Sequence, residues 1–131
     1  GWTEVAGVTF DANGRAYVWE RAGRVWIVEN GVKRATPLVD IQDEVGGWRD
    51  FGLLGVALHP NFLQNGWIYL SYTEGEQVHS TAVLDRFRLD GNKAVDVQRI
   101  FTADAGSEEP YHFAGRIQFV DGYLFFAIGD A

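Results

Sequence analysis

Three turn dipeptides, Asn13-Gly14, Asn65-Gly66 and Asp121-Gly122, lie 52 and 56 residues apart, each between two short runs of apolar and alternating residues. Asn or Asp followed by Gly readily takes the positive φ that a tight hairpin needs, so each dipeptide predicts a reversal between two antiparallel strands. Val8-Thr9-Phe10 and Ala16-Tyr17-Val18-Trp19 flank the first, as a hairpin with a two-residue turn. Arg24 to Val28 follows as a third strand, ended by Asn30-Gly31. The theme returns with Leu54 to Leu58, a looser connection from His59 to Gly66, and Trp67 to Tyr72. Another strand is predicted from Ala82 to Arg88, closed by Asp90-Gly91, and then Ile117 to Val120 and Tyr123 to Ile128 around the last dipeptide. Helical periodicity is hard to find.

A repeat of about 50 residues built only of antiparallel strands predicts an all-β chain with the blades of a β-propeller, each packed against the next. The alternative is a β-sandwich of similar hairpins. A propeller closes with about four to eight blades, whereas these 131 residues hold about two and a half. Residues 1–131 are therefore expected to be a partial propeller domain, a fragment of a longer one. Its unpaired edges and half-covered faces should leave it sticky or marginal alone.

The composition narrows the function. A net charge of −7 with 11 dispersed Lys and Arg argues against nucleic acid, which needs clustered cations. No apolar run approaches the roughly 20 residues of a membrane-spanning helix. Without cysteine there is no disulfide and no thiolate chemistry. Asp40, Asp43, Glu44 and Asp50 gather around Gly46-Gly47 but lack EF-hand spacing, so a solvated acidic loop is expected and no metal site is assigned. The tryptophans, Trp2, Trp19, Trp26, Trp48 and Trp67, mostly occupy strand positions and read as packing between blades.

The stretch from Tyr111 to Phe119 carries the chemistry. If the Asp121-Gly122 turn pairs Val120 with Tyr123, the register sets residue 113 opposite residue 130, and His112 and Asp130 emerge at one end of one hairpin. A carboxylate that holds an imidazole is the arrangement of a general base and its orienter. The other reading has Asp130 capping a turn after Gly129 and His112 ending a loop. Arg116 could bind an anion or form a surface ion pair. His59, before Pro60, reads as structural, and His79 as part of an exposed loop.

Gly52-Leu53-Leu54-Gly55-Val56-Ala57-Leu58-His59-Pro60-Asn61-Phe62, then Asn65-Gly66-Trp67-Ile68-Tyr69, resembles the signature of the soluble PQQ-dependent glucose/sorbosone dehydrogenase family. His112-Phe113-Ala114-Gly115-Arg116-Ile117 and Ala127-Ile128-Gly129-Asp130 resemble its second signature, in the same order and spacing. The resemblance implies a six-bladed propeller that holds pyrroloquinoline quinone (PQQ) at its central face, with calcium whose ligands lie mostly outside this chain. It implies that His112 removes the hydroxyl proton of an aldose or related alcohol and that Asp130 orients it. Asp50 stands where the family often has a Gln at the cofactor. A sugar substrate, an electron acceptor and a periplasmic or secreted location follow from the same resemblance. Related propellers of the hedgehog-interacting type keep the scaffold as protein-binding modules, and a lactonase-like hydrolase would need a central divalent metal.

Overall fold

The computed structural model describes residues 1–46, 52–75, 80–104 and 116–126. The first antiparallel sheet is a meander of β1 (Val5–Phe10), β2 (Ala16–Glu20), β3 (Arg24–Glu29) and β4 (Val32–Lys33). Strand β5 (Val39–Asp40) also pairs with β3, against Arg24 and Val25, while β4 takes Val28 and Glu29. The fourth strand of this sheet is thus split in two. The second sheet runs β6 (Leu53–Leu58), β7 (Trp67–Glu74), β8 (Thr81–Asp90) and β9 (Lys93–Asp104), again in chain order. β10 (Ile117–Val120) and β11 (Tyr123–Phe126) form a third, two-stranded unit. This is the all-β, blade-by-blade arrangement expected of a propeller.

Burial follows from the stacking. β7 reads Trp-Ile-Tyr-Leu-Ser-Tyr-Thr-Glu with its six central residues all buried, as a strand covered on both faces should be. On one side Ile68, Leu70 and Tyr72 pack with Tyr17, Trp19, Val25 and Ile27 of the first sheet. On the other, Tyr69 packs with Ala57, Leu84 and Ile117 beside Phe119 and Phe126. β1 and β11, at the two ends of the stack, alternate between exposed and half-buried.

The three repeated dipeptides do occupy equivalent connections, between the first and second strands of each unit, and the chain reverses differently at each. At Asp121-Gly122 both residues have positive φ (50° and 81°) and Val120 pairs with Tyr123, which is a type I′ hairpin. Asn13-Gly14 departs from the predicted two-residue turn. The Asp11 carboxylate accepts hydrogen bonds from the Asn13 and Arg15 amides, and the Asp11 amide donates to the Arg15 carbonyl, enclosing a three-residue loop. Asn65-Gly66 closes the looser connection expected between β6 and β7. It ends a one-turn helix, α1 (Phe62–Asn65), whose C-cap Gly66 is left-handed (φ 69°) and donates back to the Phe62 carbonyl. A larger departure is β9, a 12-residue strand with no counterpart in the sequence reading.

Tyr17 lies fully buried between the first two sheets, with its hydroxyl donating to Asp11 at 2.9 Å. Burial, and then this hydrogen bond to a carboxylate, push the phenol from 10.0 up to about 12. A proton held more tightly in the folded chain stabilises it fully below the unfolded value. That stabilisation is lost as pH rises from about 10 through about 12. Phenolate absorbance should therefore show Tyr17 silent at pH 10.5, with Tyr17→Phe removing the late titration step.

Candidate functional site

A groove runs between the first strands of the three units. At one end it is lined by Ala6, Gly7, Leu54, Gly55, Arg116 and Gln118, with Trp19 in its wall. At the other it is lined by Phe10, Asp11, Leu58, His59 and Phe119. Residues early in β1 and β6 and the residue leading into β10 share the first end, and residues late in those strands share the second. The three strands therefore run in the same direction. The starts of β6 and β10 consequently lie at one mouth of the groove, the mouth where Arg116 stands.

That mouth is built from close approaches. A side chain at Gly7 would overlap the Trp19 indole, so only glycine lets the ring lie across β1 there. The bulge between Val5 and Gly7, and its counterpart between Leu53 and Gly55, break the ladder at the starts of both strands. Trp19 is 8% exposed, and its indole nitrogen is the one buried side-chain polar atom without a hydrogen-bond partner among the described residues. Arg116 is exposed, with no ion pair among the described residues.

His59 is at the far end. Its Nδ1 accepts from the Asn61 amide at 3.0 Å and lies 2.9 Å from the Asn65 side-chain nitrogen. The ring packs edge-on against Trp67 and Phe119. It ties α1 to the second and third units, the structural role expected. Tryptophan packing holds for Trp19 and Trp67, whereas Trp26 lies on the opposite face of the first sheet. There its ring is edge-on to Trp2, with the Lys33 ammonium 4.0 Å from its centroid, and its indole donates to the buried Glu20 at 2.7 Å. Asp40 is engaged by Gln42 and Arg24, and no group of three His or acidic residues able to hold a metal occurs among the described residues. His112, Asp130 and Asp50, with Trp48, His79 and Tyr111, lie outside the described residues. The pairing of Ile117 with Phe126 is in the register from which 113 opposite 130 was expected.

A family model of glucose/sorbosone dehydrogenases matches residues 3–131. The chain belongs to the glucose/sorbosone dehydrogenase family. Among solved structures, the soluble aldose sugar dehydrogenase of Escherichia coli in its apo form superposes with a TM-score of 0.82 at 30% identity, over 97% of this chain and 38% of that one. The PQQ-bound aldose sugar dehydrogenase of Streptomyces coelicolor superposes with a TM-score of 0.73 at 22% identity, over 89% of this chain and 35% of that one, a likeness of fold. The hedgehog-interacting protein of Mus musculus is 32% identical over 136 residues, covering 92% of this chain and 19% of that protein. The chain spans about a third or less of the length of the curated relatives it matches. No helix among the described residues is long and apolar enough to cross a membrane.

Proposed function

We propose that residues 1–131 form the opening blades of a longer propeller that oxidises an aldose sugar or related alcohol with PQQ, and that this segment alone is not competent. The observation that carries the reading is the convergence on one mouth of the groove. Leu54 and Arg116, each four residues after Asp50 and His112 in the chain, line the same end of the groove, and Arg116 is an exposed cation there. The described wall suits a planar, anionic quinone: Arg116 offers charge, and Leu54 and the Trp19 ring an apolar surface.

PQQ, when bound, supplies the two-electron acceptor. His112 takes the hydroxyl proton of the sugar, and Asp130 holds the imidazole in the orientation and tautomer that leave one ring nitrogen free to accept it. Calcium, an external electron acceptor and a periplasmic or secreted location complete the proposal, the metal ligands lying mostly beyond these residues.

The match to the hedgehog-interacting protein favours a second reading, a propeller that binds protein and carries no redox chemistry. Equilibrium titration of PQQ into the full-length apoprotein with calcium distinguishes them. Saturable binding of one quinone per chain is expected, and a well-folded protein that leaves the quinone spectrum unchanged would favour the binding module.

A further inference from the structure

Thr73, on β7, is fully buried, and every hydrogen-bonding group it contributes here goes to two glycines. Its hydroxyl donates to the Gly46 carbonyl at 2.9 Å and accepts from the Gly52 amide at 2.9 Å. Its own carbonyl accepts from the Gly46 amide at 2.7 Å, and its amide donates to the Gly52 carbonyl at 3.2 Å. One residue thus holds residues 46 and 52 through four hydrogen bonds, which fixes the separation of those two points.

Both partners are glycine for a reason of space. A Cβ on Gly46 would overlap the Gly75 carbonyl. Gly52 has φ 147°, and a Cβ there would lie 2.7 Å from the Arg21 carbonyl oxygen. Backbone therefore meets backbone at both glycines, and the Thr73 hydroxyl is the side-chain group that bonds to each of them. Gly52 leads directly into Leu53, and Leu54 and Gly55 line the mouth of the groove beside Arg116.

We propose that Thr73 is a positioning residue for the groove: it touches no ligand but sets the entry of β6, and with it the Leu54-Gly55 wall and the anchor point of the segment that bears Asp50. The inference deepens the quinone-site reading and rests on it for its ligand, although the clasp itself does not.

The test compares Thr73→Val, which keeps shape and removes the hydroxyl, with Thr73→Ser, which keeps the hydroxyl. Both are made in the full-length protein. Two quantities are read: PQQ affinity, and amide hydrogen exchange at Gly46 and Gly52. Thr73→Val should weaken PQQ binding by about 10- to 100-fold, the scale on which outer supports of a binding site act. It should also speed exchange at Gly52, and Thr73→Ser should restore both. Unchanged PQQ affinity in a Thr73→Val protein that binds quinone would overturn the proposal, whatever its exchange. If the parent binds no PQQ, the site reading fails separately, and the clasp stands or falls on exchange: faster in valine and restored in serine supports it, no difference overturns it. If Thr73→Val does not fold, exchange in the parent decides. Gly46 and Gly52 amides protected like that of Leu70 support the clasp, and amides exchanging like Asn13 contradict it.

Discussion

His112→Ala in the full-length protein should lower kcat for aldose oxidation by at least about a hundredfold, because a positioned general base contributes roughly 10²- to 10⁴-fold. PQQ affinity should stay within about threefold, since in the proposed mechanism the imidazole acts on the sugar hydroxyl; a tenfold change would be worth 1.4 kcal/mol. That split separates a base from a residue that only builds the pocket. Asp130→Asn gives the companion result. The amide keeps the shape of the carboxylate but can present its N–H to the ring and select the other tautomer, so kcat should fall with little change in quinone binding. Loss of quinone binding and turnover together in His112→Ala would instead assign His112 to the cofactor.

The second large effect is on stability, at Arg99→Met. Asp85 is 2% exposed and accepts from the Tyr72 hydroxyl at 2.6 Å and from Arg99 Nε at 3.0 Å. Arg99 Nη2 also reaches the Tyr72 hydroxyl and Glu74, at 3.2 and 3.1 Å. The hydrogen bonds to Asp85 and then Glu74 hold the guanidinium proton more tightly than usual. Burial, and then the bond to Asp85, likewise hold the Tyr72 phenol well above its ordinary value. Methionine keeps the stem of Arg99 and removes the one cation paired with Asp85 among the described residues. A buried carboxylate stripped of its cation costs about 3–5 kcal/mol. The Arg99→Met/Asp85→Leu double variant should recover much of it, because an apolar replacement of both partners removes the stranded charge. Chemical denaturation of the four proteins of the cycle reads this directly. A single variant as stable as the parent would show that Asp85 stays solvated.

How much of this was legible in the sequence differs from element to element. β6, β7 and the β10–β11 hairpin follow from apolar runs and turn residues, and their starts fall within a residue or so of the expected places. β9 was missed because its alternation is broken. Asp96 has φ 51°, and the register against β8 shifts between Arg86 and Arg88 and again between Leu84 and Asp85. Each bulge moves the apolar positions to the other face, so the spacing of two from Val95 to Val97 is not continued by Ile100 and Phe101. Asn13-Gly14 misled for a local reason, the Asp11 carboxylate that caps two amides and lengthens the loop. The site residues His112, Asp130 and Asp50 came from family signatures, and His112 and Asp130 also from hairpin register. Trp19 was legible only as packing: nothing in the sequence marks its indole nitrogen as unpartnered. Thr73 gave no signal at all, because its partners Gly46 and Gly52 lie 27 and 21 residues away and meet it only in the folded sheet.

The central claim is that these blades open a quinone-dependent sugar dehydrogenase. Dye reduction by the full-length protein, reconstituted with PQQ and calcium and supplied with a panel of aldoses, tests it most directly. Turnover that requires added PQQ and depends on the sugar is the predicted result. A folded protein that reduces no dye with any aldose, PQQ present, would contradict it.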